Sequence, residues 1–346
     1  MKLSLFDYNL PEELIAYYPA RRREESRLMI LDRETGEFKC AKFPAVLNYM
    51  SKGDVLVVNN TKVFKARLFA RRPSGGKVEI FLLEEIKIDG INCWQVLTHP
   101  SRRIKEGESL IFDEKSNVTI FRKLPDGKTA VKFKSKIEAA RIISKFGHIP
   151  LPIYIHRPDE KSDESRYQTV YADSKRARAV AAPTAGLHFS KRILDKIAQM
   201  GVKIVPVTLH VGYGTFKTIR TEEIEEHAID PEYVEISKSA ASSINKARDK
   251  GGKVFAVGTT VVRALESAPY VDGEITAFSG PVDLYIKPGH QFRLVDHLIT
   301  NFHLPQSSLV ILVSSFAGRE NILSAYNAAV ADKFRFYSYG DCMLIL

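Results

Sequence analysis

Cysteine is scarce. Cys40, Cys93 and Cys342 lie far apart in 346 residues, and none belongs to a CxxC pair. That argues against a disulfide framework and against a structural zinc site. No apolar run approaches the roughly 20 residues that a membrane-spanning helix needs. The opening stretch MKLSLFDYNLPEEL turns acidic before the apolar core of a secretory signal forms, so a cytoplasmic chain is expected. Several catalytic signatures are missing as well: a G-x-S-x-G elbow, an H-E-x-x-H helix and a G-x-x-x-x-G-K-[ST] phosphate loop. No early strand runs into G-x-G-x-x-G, which disfavours a dinucleotide fold and its methyltransferase relatives. There is no internal repeat, no low-complexity tract and no cluster of metal ligands.

What the sequence has in excess is positive charge. The formal net charge is +10, and such an excess attracts polyanions and speeds their encounter without specifying a fold. The cations come in runs: Arg21-Arg22-Arg23, Arg71-Arg72, Arg102-Arg103 and Lys175-Arg176-Ala177-Arg178. A nucleic-acid partner is favoured over a merely basic solvated surface.

Texture changes twice along the chain. From Val63 to about Lys134 short alternating stretches, such as Lys77-Val78-Glu79-Ile80-Phe81, are separated by Pro73-Ser74-Gly75-Gly76, Asp89-Gly90 and Pro125-Asp126-Gly127. Short strands at regular spacing predict a small all-β barrel or sandwich. A helix over Ile137–Phe146 follows, stopped by Gly147, and Pro150-Leu151-Pro152 marks a linker. Beyond it helix and strand alternate. Ser190 is read as the cap of a helix ending at Gly201, and a second helix runs from Ser237 to about Lys250. These units predict an α/β core with a mainly parallel sheet. The strand pattern Asp54–Val58 joins it, so residues 63–151 are expected as an insertion between 1–62 and 152–346.

In an open α/β sheet, ligands bind where strands end and loops begin. Four such ends are polar, and three of them are glycine-marked. Ala182–Phe189, containing Pro183, Thr184, Gly186 and His188, precedes the Ser190 cap, where free amides favour an anionic or polar group. The alternative is a rigid turn with a buried, hydrogen-bonded histidine. Leu209–Phe216 offers Gly212, Gly214 and Thr215 directly after a strand, although G-x-G alone is equally a tight turn. Gly258-Thr259-Thr260 opens a helix and suits a carboxylate or ribose, unless Thr259 is only its N-cap. Thr300-Asn301-Phe302-His303-Leu304-Pro305 ends another strand before a helix opened by Pro305, and His303 there is a candidate acid, base or anchor. Arg166-Tyr167-Gln168 offers a cation, a ring and an amide suited to an unpaired base. Tyr339-Gly340-Asp341 sets a carboxylate beside a turn.

At these segments the sequence resembles the S-adenosylmethionine:tRNA ribosyltransferase-isomerases of queuosine synthesis. The resemblance spans nearly the whole chain. It includes Phe6-Asp7-Tyr8, Ser26-Arg27-Leu28, Val58-Asn59-Asn60-Thr61, Ile149–Pro152, Arg166–Ala172, Ala182–Phe189, Leu209–Phe216, Gly258–Thr260, Thr300–Pro305 and Phe336–Asp341. It departs at Arg178, where glycine is usual, and at Val261-Val262-Arg263, where relatives carry a small polar residue and threonine.

The resemblance implies an α/β core domain with an inserted small antiparallel β-barrel domain. It also implies transfer of the ribosyl group of S-adenosylmethionine to 7-aminomethyl-7-deazaguanine at the tRNA wobble position, giving epoxyqueuosine and releasing adenine and methionine. S-adenosylmethionine is then a consumed substrate, no cofactor or metal is expected, and a monomer is the default. His188, His303 and Asp341 become the candidates for proton transfer. Pro183, Thr184, Gly186, Gly212, Gly214, Thr215, Gly258, Thr259, Thr260 and Thr300 become the donor's contacts, and Arg166, Tyr167 and Gln168 those of the modified base. The arginine runs would meet tRNA phosphates. Two competing readings are an RNA methyltransferase and a noncatalytic RNA-binding protein, the latter leaving four polar strand ends unexplained.

Overall fold

The computed structural model describes residues 1–216 and 219–346, the side chains of Asp126, Thr215 and Phe216 excepted. The run Val55–Asn59 lies at the centre of a nine-stranded sheet, between Lys203–Leu209 on one side and Val254–Val257 on the other. All three run parallel, and His297–Asn301 extends the parallel block to four strands. The flanks do not follow. Glu232–Ile236 and Phe278–Val282 are added antiparallel on one side, and Cys342–Ile345, Arg27–Leu31 and Phe38–Lys42 complete the other. The sheet is therefore mixed and not mainly parallel. Glu232–Ile236 and Phe38–Lys42 are reached from their antiparallel neighbours by loops and turns, whereas Cys342–Ile345 returns antiparallel after two helices.

The strict two-residue period of a strand sends alternate residues to opposite faces. Val55 and Val57 face one layer, with Val205, Val207, Val254, Ala256 and Leu298. The helices Lys238–Asp249, Thr259–Glu266, Ser308–Ala317 and Arg319–Ala331 cover that face. Leu56, Val58, Phe255, Val257 and Ile299 face the other layer, closed by the helix Lys191–Gln199 and the turn Phe43–Tyr49. Both faces of the central strands are covered, which is why these strands are continuously apolar.

Side-chain caps set the helix starts where the sequence placed them. Ser190 accepts the amide of Ile193 and Ser237 that of Ala240. Ser307, not Pro305, caps the helix at Ser308, because Gln306 takes a left-handed φ of 54° that no helical residue adopts. Gly258, with φ 92°, is itself the N-cap of the helix whose first residue is Thr259. A side chain is strained at that φ, which is what the glycine avoids.

Six strands between Arg67 and Lys132 form an antiparallel barrel in the order Arg67–Arg71, Lys77–Ile88, Ile91–His99, Thr129–Lys132, Ser116–Lys123, Ser109–Asp113. Pairing of Arg71 with Ile111 closes it. Its interior is filled by Leu68, Val78, Ile80, Val96, Leu110, Val118, Ile120 and Val131, and the helix Lys136–Phe146 covers one opening with Ile142. Gly147 and His148 then pair with the first strand before the chain returns to the core.

Candidate active site

A cavity of about 340 Å³ opens at the carboxyl ends of Val254–Val257 and His297–Asn301, the place expected for a ligand in an open α/β sheet. Three of the four polar strand ends meet there. Ala182–Ala185 forms one wall, Gly258–Thr260 another, and Thr300–Ser307 a third. Tyr154, Tyr167 and Tyr337 add aromatic surface, with Ile153 and His156 nearby. Such a pocket is mostly apolar, with a few convergent polar groups that fix orientation.

Of the expected site residues, Pro183, Thr184, Gly258, Thr259, Thr260, Thr300, His303 and Tyr167 line this cavity together. The hydroxyl of Thr260 is buried and has no hydrogen-bond partner within the protein. The buried oxygen Oδ1 of Asn301 and the hydroxyl of Tyr337 are likewise unmatched. Buried polar atoms cost free energy unless paired, so such atoms around a cavity are what a polar ligand satisfies.

His303 is the titratable side chain best placed in the cavity wall. Its Nε2 lies 2.9 Å from Oγ1 of Thr300, and its backbone carbonyl accepts the hydroxyl of Tyr8. Its backbone amide donates to the Tyr326 hydroxyl at 3.2 Å. Gln306 donates to Asp7 at 2.8 Å, so Phe6-Asp7-Tyr8 straps the loop that carries the imidazole. Burial lowers the pKa of His303 to about 3, and the ring is neutral at physiological pH. With Nε2 engaged by Thr300, Nδ1 is the nitrogen left for a ligand.

His188 sits differently. Its Nε2 accepts from Asn301 Nδ2 at 3.2 Å, and its Nδ1 lies 2.8 Å from Ser26 Oγ. Asn301 Nδ2 also faces the carbonyls of Tyr337 and Asp341, which fixes it as the donor. The proton of His188 is then on Nδ1, directed at Ser26, whose own hydroxyl donates to the Arg23 carbonyl. Both ring nitrogens are occupied behind the cavity wall. Burial first, then the positive charges of Arg23 and Arg335, lowers its pKa to about 3.

Asp341 is also turned inward. One carboxylate oxygen accepts the amide of Arg27 at 2.7 Å and the other that of Arg335 at 2.8 Å. It joins the start of one sheet strand to the turn before another. This geometry suits a clamp and not a proton carrier.

The remaining candidates are used by the chain itself. Arg166 donates to the carbonyls of Ala20 and Arg21, and Gln168 pairs with both backbone groups of Val63 as a neighbouring strand would. Their polar edges are therefore not presented to a base. A Cβ on Gly186 would lie 2.1 Å from the Tyr171 hydroxyl, so its missing side chain serves packing and not ligand approach. Gly212 donates its amide to Glu232 at 2.8 Å, and Glu232 in turn holds the buried Arg263. Gly214 lies beside Asp230 in the turn Tyr213–Phe216. The side chain of Thr215 lies outside the described residues. Among the described residues of this segment, only Val211 reaches the cavity.

The basic runs divide as well. Arg23 spends its guanidinium on the carbonyls of Leu187, Ser165 and Gln168. Arg72 pairs with Glu108, and Arg176 with Glu235. Arg102, Arg103 and Arg178 stay exposed. Sequence reasoning missed Tyr154, Tyr337 and Ser338. Tyr337 and Ser338 lie within the segment Phe336–Asp341 that carried the family resemblance, and Tyr154 had no signal beyond its aromatic ring.

The buried neutral histidines make acid stability predictable. Between pH 6.5 and about 3 the unfolded chain takes up protons that folded His188 and His303 refuse, so stability falls as pH falls. Each histidine contributes a slope of about 1.4 kcal/mol per pH unit in that window. His188→Asn should flatten the stability-versus-pH curve of urea unfolding by about one such slope between pH 6 and 4. A curve parallel to wild type would mean that His188 is protonated in the native state.

No helix among the described residues is long and apolar enough to cross a membrane, and among them no group of His, Cys, Asp and Glu is gathered to hold a metal ion. The sequence matches the queuosine biosynthesis protein family over residues 3–345. It is 47% identical over 348 residues to the S-adenosylmethionine:tRNA ribosyltransferase-isomerase of Halothermothrix orenii, covering all of both chains. It is 48% identical over 346 residues to the enzyme of the same name from Aquifex aeolicus, again at full coverage. Its fold is similar to the crystal structure of S-adenosylmethionine tRNA ribosyltransferase from Thermotoga maritima. There the TM-score is 0.57 and the identity 34%, with 99% of this chain and 100% of that one covered. Agreement of this length and depth, end to end, places the chain in the queuosine biosynthesis protein family.

Proposed function

We propose that this protein is an S-adenosylmethionine:tRNA ribosyltransferase-isomerase whose chemistry takes place in the cavity between Gly258–Thr260 and His303. It moves the ribosyl group of S-adenosylmethionine onto 7-aminomethyl-7-deazaguanine at the tRNA wobble position and isomerises it. The products are epoxyqueuosine-tRNA, adenine and methionine. The observation that carries the assignment of the site is His303, held neutral by burial and oriented by Thr300 at the edge of a cavity with unmatched polar groups.

The positive sulfonium of the donor acidifies the ribose carbon attached to it, and a neutral imidazole is the form able to take that proton. The resulting ylide expels adenine and prepares the ribosyl carbons for attack by the substrate amine. In this reading Nδ1 of His303 accepts the proton and Thr300 fixes the ring. Thr259, Thr260 and the helix N-terminus at Gly258 hold polar groups of the donor. Pro183 and Thr184 close the opposite wall, and Tyr167 supplies a face for a ring. His188 and Asp341 act as positioning residues behind the wall, and Gly186, Gly212, Gly214, Arg166 and Gln168 support the loops around it.

S-adenosylmethionine is a consumed substrate, so no resident cofactor is required. The same reading divides the chain into a core of 1–62 and 152–346 and an insertion of 63–151, supported by the separate nine- and seven-stranded sheets. A tRNA substrate places the protein in the cytoplasm, and it works as a monomer. The acceptor provides the test. With tRNA bearing 7-aminomethyl-7-deazaguanine, S-adenosylmethionine should be consumed in proportion to the modified base. The same tRNA with guanine at that position should give none. Equal consumption with both would overturn the reading.

A further inference from the structure

The barrel carries most of the excess charge. Residues 63–151 hold 18 Lys and Arg against 10 Asp and Glu, a net +8 of the chain's +10. Most of that charge is spread around the barrel, but one strand face combines cations with exposed apolar side chains. On the strand Arg67–Arg71, residues 67, 69 and 71 point outward while Leu68 and Ala70 are buried. Phe69 is 52% exposed, although a ring of that size normally seeks cover. Arg71 stands directly opposite Ile111, itself 39% exposed, across the pairing that closes the barrel. Arg67 neutralises Glu79 at 3.0 Å, so that carboxylate does not repel an anion here.

The chain links this face to the cavity through residues 149–152, which are buried, and His148 itself is held at Nδ1 by Asp159 at 2.9 Å. The ring of Phe69 lies 5.2 Å from that of His148, edge-on. His148 begins the segment that leads into the cavity wall, and Arg67 donates to the carbonyl of Leu151 within that segment. Ile153 and His156, both exposed, then reach the cavity itself. Rings and apolar side chains interleaved with cations, leading to a catalytic cavity, match the chemistry of single-stranded RNA: bases stack and phosphates pair.

Resting on the functional reading above, we propose that the track Phe69–Arg71–Ile111, continued by His148, Ile153 and His156, holds the unpaired nucleotides flanking the target base. A base splayed into the cavity leaves its neighbours unstacked, and the exposed ring of Phe69 offers one of them a replacement. Arg71 would meet a phosphate beside it.

The test uses the full-length enzyme and full-length substrate tRNA, with binding followed by fluorescence anisotropy and turnover measured separately. Phe69→Ala should weaken tRNA binding about five- to tenfold and raise KM for tRNA alike, leaving KM for S-adenosylmethionine unchanged. Arg71→Gln should reduce the slope of log K against log salt by about one. Lys132→Gln is the charge-matched control, because its strand lies diametrically across the barrel from Arg67–Arg71. It should leave binding within twofold of wild type. Unaltered binding by Phe69→Ala would overturn the proposal, as would equal losses from Arg71→Gln and Lys132→Gln, which would mean diffuse attraction. Because binding is read without chemistry, failure of the track is distinguishable from failure of the assigned reaction.

Discussion

His303→Ala is expected to lower turnover about 10²–10⁴-fold, the range a positioned proton-transfer group supplies. S-adenosylmethionine binding should change only a few-fold, since Thr259, Thr260 and the helix N-terminus stay in place. Structural loss must be separated from chemical loss. Gln at position 303 can keep a hydrogen bond to Thr300 but cannot act as an imidazole base, so it should fold like wild type and remain slow. The pH dependence supplies a second readout. Burial holds the conjugate acid of His303 near about 3 in the free enzyme, and kcat/KM reports free-enzyme groups. Its acid limb should therefore lie well below pH 6.5. A limb between 6 and 7, or full turnover in His303→Ala, would assign proton transfer to a different group.

Asp341→Ala should act on stability instead. The carboxylate is 3% exposed and satisfies two backbone amides, those of Arg27 and Arg335. Its removal strands both donors in the interior at about 1–3 kcal/mol each. A loss of about 2–6 kcal/mol in urea unfolding is expected, with the m-value unchanged. Asp341→Asn keeps one acceptor oxygen and should lose roughly half as much. The folded fraction of either variant should turn over within about tenfold of wild type. A 10³-fold drop in turnover at full stability would make Asp341 a participant in the chemistry and contradict the clamp assigned to it.

These two residues illustrate what the sequence can and cannot disclose. His303 and Asp341 both stand beside polar residues near chain turns, and in one dimension they are equivalent candidates. Only the fold decides that one side chain meets the cavity while the other meets backbone amides from Arg27 and Arg335. His188 is the same case: Ser26 lies 162 positions away, and no local pattern predicts that contact.

Local chemistry was legible wherever it acts over a few residues. Ser190 and Ser237 announced their helices, Val55–Asn59 its buried strand, and the turn residues between Val63 and Lys134 their barrel. The strand Arg27–Leu31 was not legible, because its order in the sheet depends on the distant Cys342–Ile345. The helix start at Ser308 was misread because Pro305 is a plausible first helical residue until the left-handed Gln306 intervenes. The polar strand ends were legible as a set, since three of the four converge on one cavity. Which of their atoms remain unmatched there, such as the Thr260 hydroxyl, depends on packing that no spacing rule contains.

The most direct measurement of the central claim is product analysis after mixing the protein with S-adenosylmethionine and tRNA bearing 7-aminomethyl-7-deazaguanine. The account predicts adenine and methionine in equal amounts, with a matching ribosyl-derived mass gained by the tRNA. Formation of S-adenosylhomocysteine would contradict it and make the protein a methyltransferase. Tight tRNA binding with no turnover of S-adenosylmethionine would contradict it too, leaving a noncatalytic RNA-binding protein.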